Sequence, residues 1–108
     1  MREIIDELGS SLPGPEKGFY DLRLYVSGCT PLSSRAIANI KAICESRLKG
    51  RYELKVIDLY QEPNLAQSQQ ILVTPTLVKH YPLPLCRLVG DLSNTQRVLL
   101  ALGVQPDP

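Results

Sequence analysis

Tryptophan is absent from this chain of 108 residues, phenylalanine and histidine occur once each, and the cysteines number three. With His80 as the single histidine there is no Cys/His cluster. Cys29, Cys44 and Cys86 are odd in number and widely spaced, which fits neither a disulfide framework nor a zinc ribbon. No metal site and no cofactor is expected. An excess of one charge is lacking as well, because 12 basic and 11 acidic side chains leave +1. Binders of nucleic acid or anionic membranes need a basic surplus to meet phosphates, so neither partner is expected. Apolar runs extend over only a few residues where ~20 would span a bilayer, and the opening MREIIDELGSSLPGPEKG lacks a secretory apolar stretch. The expected location is the cytoplasm. The phosphate loop G-x-x-x-x-G-K-[ST], the dinucleotide motif G-x-G-x-x-G, H-E-x-x-H and G-x-S-x-G are missing too, which removes much of the enzyme repertoire.

What remains is the composition of one globular domain, 44% hydrophobic and 21% charged. Residues 1–18 carry one apolar turn, Ile4, Ile5 and Leu8, then a stretch broken by Pro13 and Pro15, and read as an N-terminal extension and linker. The domain proper is expected over 19–104, with a short tail at 105–108. In Tyr20 to Val26, Leu22, Leu24 and Val26 alternate with polar neighbours, the pattern of a strand with one buried face. Thr30 is placed to cap the next helix and Pro31 to open it, and Ala36, Ile37, Ile40, Ile43, Cys44 and Leu48 form its apolar stripe up to a stop at Gly50. Tyr52 to Leu59 is a second strand, parallel to the first because a helical crossover joins them.

Pro63 opens a second helix carrying Leu65, Ala66 and Ile71, which must end before Thr74-Pro75. Thr76 to His80 and Cys86 to Val89 read as two antiparallel strands around Pro82 and Pro84. Ser93 and Gln96 have capping-box spacing, Val98, Leu99 and Leu102 form a stripe, and Gly103 is a stop, so the last helix is expected over 94–102.

This order, with Val73-Thr74-Pro75-Thr76 opening the third strand, resembles the thioredoxin fold, an α/β arrangement βαβαββα around a four-stranded mixed sheet. The active-site position reads Cys29-Thr30-Pro31-Leu32, however, and a thioredoxin needs a second thiol where Leu32 stands. The runs LYVSGCTPLSSRA, YELKVIDLYQEPNLAQ, ILVTPTLVK and RLVGDLSN are similar, over nearly the whole domain, to the KaiB family of circadian-clock proteins. That resemblance implies a non-enzymatic adaptor binding a KaiC-type ring ATPase, in timekeeping or in a clock-derived signalling or stress-response system. KaiA and a histidine kinase that competes for KaiC are further partners it implies.

It also implies fold switching between a thioredoxin-like form and a tetramer of arrangement βαββααβ refolded in its C-terminal half. Pro75, Pro82 and Pro84 are candidates for cis bonds and for the switching region, since X–Pro bonds isomerise slowly. Ala101, better in a helix interior than glycine by ~0.8–1.0 kcal/mol, and Gly103, a left-handed stop with Val104 placed to touch Leu99, favour the helical form. A monomer or weak dimer is therefore expected, with the tetramer as the alternative.

By themselves Arg35, Lys55, Lys79 and Arg87 are ordinary solvated charges. They match basic residues of KaiB proteins, which implies a partner-binding role, and Tyr20 joins them as an interface anchor of the kind exposed tyrosines provide. In a sheet of order 2-1-3-4 the second strand is an edge open to a partner strand, the place where the resemblance implies KaiA would dock. The rival from another class is a monothiol redox protein using Cys29, whose position before a helix N-terminus favours a thiolate. Cys44 and Cys86 read as packing residues and His80 as structural.

Overall fold

The computed structural model describes residues 18–104, so the apolar turn at Ile4, Ile5 and Leu8 and the tail at 105–108 lie outside the described residues. Seven elements follow in the expected order: β1 (Tyr20–Val26), α1 (Pro31–Arg47), β2 (Tyr52–Asp58), α2 (Pro63–Ser68), β3 (Thr76–Tyr81), β4 (Cys86–Val89) and α3 (Thr95–Leu102). The strands form one mixed sheet in the spatial order β2-β1-β3-β4. β1 runs parallel to β2 in the register Tyr20↔Tyr52 to Val26↔Asp58, and antiparallel to β3, which pairs antiparallel with β4.

Two apolar clusters cover the two faces of this sheet. Leu22, Leu24 and Val26 meet Ala36, Ile40 and Cys44 of α1, Leu77, Leu88, and Val98, Leu99 and Leu102 of α3. Each fully buried leucine here contributes about 1.5–3 kcal/mol of hydrophobic stabilisation. The second, smaller cluster joins Tyr25, Val78, Leu59 and Ile71 beside α2. The expectation of one buried face on β1 is thus corrected. β1 is an inner strand, and Tyr25, on the face opposite Leu24, is as deeply buried.

The α1 start is as expected: the Thr30 hydroxyl accepts from the Ser33 N–H at 3.1 Å, and Pro31 holds the first turn. Its end differs. The helix stops at Arg47, Leu48 is anchored in the core, and Gly50, at φ +77, turns the chain two residues later. α2 is shorter than its apolar pattern suggested. Gln70 adopts a left-handed φ of 56°, and Ile71 leaves the helix to plug the second cluster. At α3 the cap is Asn94, whose side chain accepts from the Arg97 N–H at 3.1 Å. Ser93 stands one residue earlier, in the turn where its N–H bonds the Asp91 carboxylate at 3.1 Å, and the Arg97 N–H is taken by Asn94 instead.

The far end of α3 follows the sequence. Gly103 is left-handed at φ 78°, the Val104 N–H reaches the Leu99 carbonyl at 2.9 Å, and Ala101 and Val104 pack against the core. The C-terminal segment is helix and not the sheet of the alternative fold. The bonds preceding Pro75, Pro82 and Pro84 are cis. No helix among the described residues is long and apolar enough to cross a membrane.

Candidate interaction surface

Where β1 ends, the chain enters the turn Ser27-Gly28-Cys29, and three bonds fix it. The Asp58 carboxylate at the end of β2 accepts from the Gly28 N–H at 3.1 Å and the Tyr60 N–H at 2.9 Å. The Thr74 hydroxyl donates to Ser27 Oγ at 2.9 Å, joining this turn to the entry of β3. Gly28 is at φ +71, and a Cβ there would stand 3.0 Å from the Tyr60 ring, so the turn needs glycine for both conformation and space. Beside it lies a cleft of about 290 Å³ lined by Leu59, Tyr60, Ala66, Ile71, Leu72 and Val73, with the Ser27 and Thr74 hydroxyls at one side.

Cys29 is exposed on this turn. Leu32, 46% exposed, occupies the place of a second thiol one helical turn on. Cys44 is buried in the core, where burial pushes its thiol up to about 12, and Cys86 is on β4, so neither resolves a mixed disulfide on Cys29. No group of metal-ligating side chains exists among the described residues.

The five partner-binding candidates do not form one patch. Tyr20 is only 5% exposed and belongs to the main core, so it is not a surface anchor. Lys79 is also 5% exposed: β3 alternation puts it with Leu77 on the face covered by α1 and α3, and it is not a solvated charge. Arg35 lies on α1 with its Nε 3.6 Å from Asp91 Oδ2. The Asp91 carboxyl is held below its ordinary range chiefly by hydrogen bonds from Ser93, with Arg35 adding a smaller pull. Lys55 is exposed on the edge strand β2, beside Arg23 in the β1 register. Arg87 is exposed on β4, opposite Val78, on the same sheet face as Lys55. The structure therefore groups Lys55 and Arg87 with Arg23 on one face, and leaves Arg35 on the opposite layer.

Arg23 was not singled out by sequence reasoning, nor was Asp21 beside it, although strand parity alone would have placed both with Lys55. Arg23 Nη2 meets Asp21 Oδ2 at 3.4 Å. Burial disfavours the Arg23 charge, but Asp21 and, to a smaller extent, Tyr25 together outweigh it and raise the guanidinium pKa. His80 of β3 is lowered, first by burial and then by Arg23, with Asp21 opposing and Arg87 adding to the effect. Also missed was Leu72, 95% exposed between the buried Ile71 and the bonded Thr74, with Val73 at 50% and Tyr60 at 76% beside it. Ile71-Leu72-Val73 reads from sequence as one apolar run at the end of the second helix, and nothing local distinguishes its exposed members.

Comparison with known proteins places this arrangement. Residues 23–104 match the KaiB domain family. The circadian clock protein KaiB3 of Synechocystis sp. is 46% identical over 86 residues, covering 80% of this chain and 84% of that protein. The circadian clock oscillator protein KaiB of Synechococcus elongatus is 51% identical over 85 residues, 79% of this chain and 83% of its own. Among solved structures, the N-terminal domain of Synechococcus elongatus SasA superposes with a TM-score of 0.65 at 26% identity, covering 89% of this chain and 94% of that one. Chloroplastic thioredoxin z superposes at 0.66 with 17% identity, covering 92% and 88%, a likeness of fold alone. The fold is thus thioredoxin-like, its dithiol chemistry lacks its second sulfur, and the chain belongs to the KaiB family.

Proposed function

We propose that this protein is a non-enzymatic adaptor that binds a KaiC-type ring ATPase in a circadian-clock or clock-derived signalling system in the cytoplasm. The observation that carries the reading is the match of four fifths of the chain, at about half identity, to proteins named for the circadian clock. Its chemistry agrees. Leu32 removes the resolving thiol, and fixed, exposed apolar side chains at Leu72, Val73 and Tyr60 suit a protein contact better than a reaction. Lys55 and Arg35 supply long-range attraction to an acidic partner surface, which raises the association rate more than the affinity and fades as salt screens it. The open edge of β2 offers backbone groups to a second partner, KaiA, while a histidine kinase sensor domain would compete with this protein for the ATPase. Free in solution, the protein is a monomer or weak dimer.

Sedimentation of the protein with a purified KaiC-type hexamer tests the reading. Co-migration in the presence of nucleotide is expected, and no co-migration with any such ATPase would overturn it. A thiol–disulfide exchange assay tests the redox rival: turnover abolished by Cys29→Ser would replace the adaptor with an enzyme.

A further inference from the structure

The Arg87 side chain is committed to the protein's own backbone. Its Nη1 donates to the Gln70 carbonyl and its Nη2 to the Gln69 carbonyl, both at 2.8 Å, across 17 and 18 residues of chain. Those oxygens belong to the C-cap of α2 and the residue after it, which the helix, ending here, gives no partner of its own. α2 has six residues and no basic side chain in its last turn. The planar guanidinium satisfies two adjacent carbonyls at once, which a lysine ammonium cannot do in the same geometry. Downstream the loop is held twice more, by Ile71, whose N–H bonds the Ala66 carbonyl at 2.8 Å and whose side chain is buried, and by Thr74 on Ser27. Leu72 therefore points into solvent from a loop fixed on both sides.

The electrical character of this segment is the second observation. From Pro63 to Val78 there is no Asp, Glu, Lys or Arg, in a chain that is 21% charged. The exposed surface around Leu72 is carried by glutamines, Val73 and, across the cleft, Tyr60, and the Arg87 guanidinium at the base of the loop has two of its N–H groups bonded to the loop's own carbonyls. An apolar side chain in a neutral setting is electrically complementary to an uncharged apolar recess, since a charged rim would be desolvated there without a counter-charge.

We propose that the loop 69–74 is a docking element, that its occupant is an uncharged apolar recess on a partner protein receiving Leu72, and that Arg87 is the positioning residue holding the loop in place. The inference rests on the adaptor reading and divides the work within it: Lys55 and Arg35 steer, while Arg87 acts through the loop and not through its charge.

The test uses the full chain with Arg87→Lys, Arg87→Gln and Leu72→Ser. Amide hydrogen exchange of residues 71–73 is read in the free protein, and affinity for the KaiC-type hexamer at low and high salt. Both Arg87 variants should raise exchange and weaken binding at least roughly tenfold, the charge-retaining lysine as much as glutamine, with the salt dependence unchanged. Leu72→Ser, at a site open to water, should weaken binding similarly without unfolding the protein or altering exchange beyond the loop. Wild-type binding by Arg87→Lys, together with a shallower salt dependence for Arg87→Gln, would make Arg87 a partner-facing charge and overturn the proposal. Unchanged exchange would remove the clamp, and unchanged binding by Leu72→Ser would remove the docking element. If the wild-type protein fails to bind the hexamer, the adaptor reading and the docking role fall together, while exchange still decides whether Arg87 holds the loop.

Discussion

The Thr74 hydroxyl bonds Ser27 Oγ at 2.9 Å, tying the residue that precedes Pro75 to the residue that follows β1. That contact brings the Cys29 turn against the entry of β3, the juxtaposition on which thioredoxin chemistry depends. Here it frames a cleft and an exposed apolar loop, and the thiol beside them stands alone.

Thiol reactivity is the first prediction. A thiolate is the nucleophile, so modification follows exposure and ionisation. Cys29 is exposed, Cys86 half-buried, and Cys44 is fully enclosed with its thiol pushed up to about 12 by burial and, to a smaller extent, by Glu45. Under native conditions iodoacetamide should label Cys29 first and Cys44 only after unfolding, as mass spectrometry of peptide fragments would record. Equal labelling of Cys44 and Cys29 in the folded protein would contradict the core packing of α1.

The cap of α3 gives a second. Asn94 supplies the oxygen for the Arg97 N–H, so Asn94→Ala should cost about 1 kcal/mol of unfolding free energy, the usual loss for a helix N-cap. Ser93→Ala should cost less, because its backbone N–H bond to Asp91 survives and only the contact of its exposed hydroxyl with that carboxylate is lost. Urea denaturation of the two variants separates them, and the reverse order would restore Ser93 as the cap.

Gly103 and Gly28 make a contrasting pair. Both are left-handed, but a Cβ at Gly103 meets nothing within 4 Å, whereas at Gly28 it meets the Tyr60 ring at 3.0 Å. Gly103→Ala should therefore cost about 1–2 kcal/mol from backbone conformation alone. Gly28→Ala should cost that and also displace Tyr60 from the cleft, visible as a shifted Tyr60 ring resonance. A Tyr60 signal unchanged in Gly28→Ala would mean that the ring does not rest on this turn.

Much of this fold was legible because its signals are local. Alternation marked Leu22, Leu24 and Val26, Thr30 and Pro31 marked the start of α1, and Gly103 with Val104 marked the end of α3. The errors arose where a distant contact decides the outcome. Tyr20 and Lys79 look like exposed strand residues, and only the helices folded over their sheet face bury them. Ile71 fits a helical stripe, yet the second cluster draws it out of α2. Arg87 looks like a free surface charge until the fold brings it to the carbonyls of Gln69 and Gln70.

Charge reversal should expose the difference between the two lysines. Lys55 is exposed on an edge strand, so Lys55→Glu should leave the unfolding free energy within about 0.5 kcal/mol of wild type and act on association rate. Lys79 is buried on the face beneath α1 and α3, so Lys79→Glu should cost several-fold more stability, on the order of 2 kcal/mol or above. Thermal denaturation distinguishes them, and a fully stable Lys79→Glu protein would show that this side chain is not enclosed.

His80 sets the pH response. Its Nε2 is buried without a hydrogen-bond partner in the structure, and the charged groups facing it are Arg23 and Asp21 on β1 and Arg87 on β4. Burial lowers its pKa first, Arg23 and Arg87 add to that, and Asp21 opposes them. The folded-state value thus lies below the ordinary 6.5, and as pH falls through 6.5 the unfolded chain takes up the proton first. The stability this provides is complete at higher pH and is lost on acidification. Asp91, lowered mainly by its Ser93 hydrogen bonds, also favours the folded state, but its contribution fades only as pH falls below the ordinary carboxylate value of 3.8. Between about pH 7.5 and 5.5 the loss therefore reports His80. The urea midpoint should drop over that interval in the wild type and much less in His80→Gln, which cannot titrate. An equal drop in the variant would assign the pH dependence to another group.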